Sequence, residues 1–117
     1  MLSLPSAVRI FLCLRPTDMR KSFDGLAAMV RQVLEADPLS GHLFVFIGRR
    51  ADRMKILYWD RDGLALWAKR LERGTFRPPS GQGESLAPSA AELAAVLEGI
   101  ELAGAARRKR FGIANAR

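Results

Sequence analysis

The sequence predicts a single α+β domain: a mostly antiparallel sheet of four to five strands, with one long helix packed on a face and a short C-terminal helix. Three observations carry that prediction. Short apolar runs rich in β-branched and aromatic residues recur between turn signals. One stretch instead repeats its apolar residues at three- and four-residue steps, the period of a helix face. The chain has 117 residues, 49% of them hydrophobic, which is enough for one core without disulfides or a structural metal.

Residues 7–14 read as the first strand, stopped by Arg15 and Pro16. Thr17 or Asp18 offers a side-chain oxygen to cap a first helical turn. Met19, Phe23, Leu26, Ala27, Val30, Val33 and Leu34 then form one apolar stripe, which predicts a helix running to about Ala36. Asp37-Pro38 closes it, because a residue before proline is pushed out of the helical region. After a turn at residues 39–42, Leu43–Ile47 is continuously apolar, as expected of a central strand buried on both faces. Residues 54–59 make a third strand, pairing with the second as an antiparallel hairpin across the charged loop 48–53.

Asp60-Arg61-Asp62-Gly63 is a turn signal, its glycine free to adopt positive φ. Residues 64–71 fit either a helix or a fourth strand; strand is preferred because it extends the meander. The prolines and glycines of residues 76–88 predict a loop, with room for a short strand at Glu84–Leu86. Ser89 with Glu92 three residues on is a capping box opening a second helix, whose face is Leu93, Val96, Leu97 and Ile100 and whose end falls near Leu102. Residues 1–103 are therefore expected to form the domain. Residues 104–117 are a basic tail without periodicity, expected to stay disordered until bound.

Charge is the first functional clue. Nineteen basic residues face twelve acidic ones, and fifteen of the nineteen are arginine, whose planar fork matches phosphate. The excess is concentrated. Residues 49–77 hold Arg49, Arg50, Arg53, Lys55, Arg61, Lys69, Arg70, Arg73 and Arg77 against four acids, and the tail holds Arg107, Arg108, Lys109, Arg110 and Arg117. Such clustering is the footprint of a nucleic-acid binder. A solvated basic surface is the alternative reading.

The inventory for catalysis is thin. His42 is the only histidine and Cys13 the only cysteine, too few for a zinc site, and Cys13 lies within an apolar strand. Asp60 and Asp62, with Asp52 nearby, have the spacing of a turn rather than of acids converging on Mg²⁺. Tyr58 beside Trp59 reads as a sheet residue, and Gly81-Gln82-Gly83 lacks the context of a phosphate loop. No enzyme, cofactor or metal is expected. An unpaired cysteine and the lack of an apolar run of ~20 residues point to a cytoplasmic protein without a membrane span.

Three strings carry a family resemblance: TDMRKSFDGL at residues 17–26, DPLSGHLFVF at 37–46 and KRLERGTF at 69–76, with Tyr58-Trp59-Asp60 and Gly63 in between. In order and spacing, from about Leu4 to about Ile100, the chain resembles the Orf2-like TnpB accessory protein of the insertion sequence sixty-six (IS66) family. The resemblance implies a non-catalytic part in bacterial transposition beside a larger transposase that performs the strand chemistry. It brings no catalytic residues, and the RNA-guided nuclease that shares the name TnpB is a much longer protein. The basic tail lies outside the resemblance.

Arg20, Lys21, Arg49, Arg50, Arg53, Lys55, Lys69, Arg70, Arg73 and Arg77 are the candidate DNA contacts. The expected partners are DNA, in particular the element ends, and the transposase. The alternative function is a protein–protein adaptor that docks on the transposase without touching DNA.

Overall fold

The computed structural model describes residues 8–78, 81 and 83–98. The chain runs β1 (Ile10–Cys13), α1 (Phe23–Gln32), β2 (Leu43–Ile47), β3 (Arg53–Asp60), β4 (Gly63–Arg70), β5 (Ser85–Leu86) and α2 (Ala90–Glu98). The strands form one sheet in the order β4-β3-β2-β1-β5.

The sheet is mixed, where antiparallel pairing was the main expectation. β2–β3, β3–β4 and β1–β5 are antiparallel, but β1 and β2 run parallel, with Ile10 opposite Leu43 and Leu12 opposite Val45. The reason lies in the connection. Parallel neighbours need a crossover of a dozen or more residues, and the segment holding α1 supplies it. The order strand–helix–strand, visible in the sequence, makes that crossover available.

Every residue of β2 is buried, which follows from its central place and continuous apolar run. Phe44 and Phe46 point to one face, where they meet Cys13, Leu57 and the Leu26, Ala27, Met29 and Val30 stripe of α1. Leu43, Val45 and Ile47 point to the other, packing with Ile10, Leu12, Met54, Ile56 and, from α2, Leu93, Val96 and Leu97. The architecture is thus helix, sheet, helix.

α1 spans 10 residues, so the long helix expected from Met19 to Ala36 is corrected at both ends. At the start, the Asp18 carbonyl accepts the Lys21 N–H at 3.1 Å and its carboxylate accepts the Arg20 N–H at 3.0 Å. Asp18 therefore closes a tight turn before the helix instead of capping it, and Thr17 bonds back to the Arg15 carbonyl. Ser22 holds the N-cap position without a side-chain cap bond. At the far end Glu35 takes φ 51°, and the Leu34 and Ala36 amides reach back to the carbonyls of Met29 and Val30. The apolar period continues through Val33 and Leu34, but the backbone has already unwound.

The segment expected at residues 64–71 is a strand rather than a helix, with its bounds one residue earlier, at Gly63–Arg70. The tight turn before it differs from expectation in one detail: Arg61, not Gly63, carries the positive φ, at 55°. The short strand at Ser85–Leu86 closes the β1 edge. The capping box of α2 forms as read, with the Glu92 N–H donating to Ser89 Oγ at 3.1 Å and the Ser89 N–H to Glu92 Oε1 at 3.0 Å. The expected end of α2 near Leu102 and the basic tail 104–117 lie outside the described residues.

Candidate nucleic-acid interface

Antiparallel pairing sets the start of β3 beside the end of β4, so the two arginine-rich stretches share one end of the sheet. Arg53 lies directly opposite Arg70, and Lys69 opposite Met54. The loop 48–52 and the segment 71–77 continue this contact beyond the strands. The Leu71 N–H donates to the Asp52 carbonyl at 2.7 Å, and the Phe76 N–H to the Ala51 carbonyl at 2.7 Å. Phe76 is itself buried in the α2-side core, which pins the segment carrying Arg73 and Arg77 against the loop carrying Arg49 and Arg50. Phe76 thus anchors the cations on either side of it in the chain.

A third stretch joins from the other side. The Thr17 N–H bonds to the Ile47 carbonyl at 3.0 Å, continuing the parallel ladder into the loop after β1. A Cβ at Gly48 would stand 2.7 Å from Met19 Cγ, so the glycine permits a close approach of this loop to the end of β2. Lys55 ties the arrangement together. Its ammonium donates to the carbonyls of Met19 at 2.9 Å and Lys21 at 2.7 Å. Lys55 was expected among the DNA contacts, yet two of its three donors serve the fold. The sequence held a signal for this. Alternation puts Lys55 on the same face as Leu57, the face that α1 covers, where an ammonium needs acceptors.

Arg49, Arg50 and Arg53 line an open cleft of about 530 Å³ together with Arg20, Asp18, Asp52 and Met19. A shallower depression of about 540 Å³ adjoins it, lined by Arg53, Lys55, Lys69, Arg70, Glu72 and Met19. Arg53 and Met19 border both, so the surface is continuous from Arg50 to Lys69.

Neutralisation within it is partial. Arg20 forms a bidentate pair with Asp18, at 2.8 Å for the closest contact, and Arg70 pairs with Glu72 at 3.2 Å. Hydrogen bonds from the Arg20 guanidinium, and after them the one from the Arg20 backbone N–H, hold the Asp18 carboxyl well below the usual carboxylate range. Among the described residues no ion pair involves Arg49, Arg50, Arg53 or Lys69. Lys21 is half-buried with its stem against Gly25, while Arg73 and Arg77 are exposed on the segment after β4.

The groups considered for catalysis are held elsewhere. His42 Nδ1 accepts the Arg9 N–H at 3.0 Å, and its ring meets Phe11 edge-on at 5.8 Å. Burial pushes the Cys13 thiol up, away from the thiolate a nucleophile needs. Asp60 and Asp62 stand at the opposite end of the β3–β4 hairpin, flanking its tight turn. Among the described residues no three His, Cys, Asp or Glu side chains are grouped to hold a metal ion. Nor is any described helix long and apolar enough to cross a membrane.

A fold of one mixed sheet between two helices, ending in an arginine-lined surface, defines a class of small basic α/β protein. The chain belongs to the IS66 Orf2 like protein family, whose family model matches residues 8–107. The match starts slightly later than the resemblance did and runs further, into the first tail arginine. Two relatives from Sinorhizobium fredii (strain NBRC 101917 / NGR234) are similar over most of their length. The uncharacterized protein y4hO is 44% identical over 100 residues, covering 84% of this chain and 87% of the relative. The uncharacterized protein y4jC is 37% identical over 94 residues, 80% of each chain. No solved structure matches the chain. Membership associates the protein with an insertion sequence, in a family of accessory proteins.

Proposed function

We propose that this chain is a DNA-binding accessory factor of transposition, gripping the phosphate backbone near the element ends and helping the transposase engage them. The observation that carries the reading is the Arg53–Arg70 pair with Arg49, Arg50 and Lys69 around it. Like charges directly opposite on neighbouring strands destabilise a sheet, so a free protein holds this arrangement at a cost that a polyanion relieves. Arg49, Arg50, Arg53, Lys69 and Arg70 form the centre of the contact. Arg20, Lys21, Arg73 and Arg77 extend it, and Lys55 positions the loop that carries Arg20 and Lys21.

Phosphate contacts give affinity and orientation but no sequence choice by themselves. Recognition of element ends therefore rests on DNA shape or on the transposase. Fluorescence anisotropy with an element-end duplex and an unrelated duplex, at two salt concentrations, tests the reading. Binding to both at low salt, weakening by roughly 0.9 log units per phosphate for each tenfold rise in salt, is the expected result. Absence of binding to either duplex at low salt overturns it. The adaptor alternative predicts in addition that the transposase co-purifies after nuclease treatment, with no DNA bridging the two.

A further inference from the structure

We infer that the free edge of β4 pairs with the β4 edge of a second copy of this chain, antiparallel about Leu66, to make a two-fold dimer. The first ground is the edge itself. β4 ends the sheet order, runs for eight residues, and contains neither proline nor bulge in its register with β3. Soluble proteins commonly interrupt or cover such an edge, because its backbone donors and acceptors are a template for another strand.

The second ground is which groups face outward. The Leu71 N–H bonds to the Asp52 carbonyl, so Leu71 and Asp52 are a hydrogen-bonded pair of the antiparallel ladder. Alternation from there turns the backbone of Gly63, Ala65, Trp67 and Lys69 toward β3, and that of Leu64, Leu66, Ala68 and Arg70 toward the free edge.

The third ground is charge. The hairpin carries exposed Asp60 and Asp62 at its turn and exposed Lys69 and Arg70 at its open end, so it is complementary to its own reverse. With Leu66 on the two-fold axis, Leu66 pairs with Leu66 of the second copy, Leu64 with Ala68, and Asp62 with Arg70. On the opposite face Lys69 of the second copy lies over Gly63, where no side chain blocks its path to Asp60. Moving the axis one residue loses this. Centring on Trp67 sets Arg70 over Leu64, and centring on Ala65 carries Arg70 past the turn. Leu66 is the centre that uses nearly the whole strand and matches charge at both ends. Such a dimer engages Lys69 and Arg70 with the carboxylates of the second copy and directs the two clefts lined by Arg49, Arg50 and Arg53 away from each other, one at each end of the shared sheet.

Sedimentation of the full chain without DNA tests the dimer independently of the DNA-binding reading. Wild type is expected to pass from monomer to dimer as concentration rises. Ala68→Pro removes an outward N–H at an exposed position that the free strand tolerates. It is expected to keep the circular dichroism of the wild type and stay monomeric. Asp62→Lys and Arg70→Glu each set two like-charge contacts into a symmetric dimer and should weaken it at least tenfold, while the two together restore it. A wild type that is monomeric throughout overturns the inference. So does a dimer indifferent to Ala68→Pro, or a double variant no better than the single reversals.

Discussion

β2 and the β3–β4 hairpin are immediate neighbours in the sheet, yet β2 and the open end of that hairpin answer to different rules. All five residues of β2 are buried, and Phe44 and Phe46 lie wholly out of solvent. On the adjoining hairpin, Arg53 of β3 and Arg70 of β4 face each other in water, and among the described residues Arg70 has an ion-pair partner, Glu72, while Arg53 has none. The first region is fixed by burial and would be the same in a protein of any function. The second is held in place by its neighbours against its own repulsion, and that is where a functional demand shows. The contrast can be broken experimentally by asking whether stability and anion affinity respond to separate residues.

Phe46→Ala should have the largest effect. Removing a fully buried ring from the α1-side core costs about 3–5 kcal/mol, as transfer and cavity contributions combine. Urea denaturation would register the loss, while the fraction that remains folded should bind DNA as the wild type does. A folded variant of unchanged stability would mean that the β2 core is not what carries the fold. The reverse experiment replaces Arg49, Arg50 and Arg53 together by glutamine. Losing three phosphate contacts should make the log–log salt slope shallower by about 2.7 and lower low-salt affinity by about a hundredfold, ~2.7 kcal/mol. The denaturation midpoint should hold or rise, since a like-charge pair is removed. An unchanged salt slope would detach these arginines from the DNA.

The same contrast explains what the sequence could reveal. β2 was legible because continuous apolar residues have one explanation in a chain of this size, and the capping box of α2 because Ser89 and Glu92 satisfy each other locally. The α1 boundaries were not, because apolar spacing continues through Met19 and Leu34 into residues whose backbone turns away. There Asp18 chose a turn over a cap, a choice between two local hydrogen bonds of similar strength. The arginine clusters were visible as composition. Their meeting depends on antiparallel register and on Phe76 burying itself in the core, and no local pattern encodes either. Lys55 shows how the two rules overlap: it looks like one more cation in the cluster and works as a strut.

Lys55→Met sharpens that distinction. Methionine keeps the stem against the α1 face but removes both hydrogen bonds, leaving the Met19 and Lys21 carbonyls without their charged donor. The expected loss is about 2 kcal/mol of stability, in the range for hydrogen bonds to a charged group. The salt slope of DNA binding should stay near that of the wild type. A slope shallower by about 0.9 with unchanged stability would move Lys55 back among the phosphate contacts.

The smallest effect belongs to Asp18, which belongs to both regimes at once. Its carboxylate shapes the turn before α1 through the Arg20 N–H and also occupies the Arg20 guanidinium. Because that partnership depresses the Asp18 pKa, its contribution to stability is present above the ordinary carboxylate range and is lost as pH falls through the lowered value. Both groups are exposed, so solvent and salt keep that contribution small. Asp18→Asn preserves an acceptor for the turn but removes the charge that holds Arg20. The variant should therefore be slightly less stable than wild type at neutral pH, with the difference closing on acidification. Its affinity for DNA should rise, with a salt slope steeper by up to 0.9 as Arg20 becomes available to a phosphate. Weaker binding by this variant would show that the Asp18 turn, by aiming the loop, matters more to the surface than the cation it occupies.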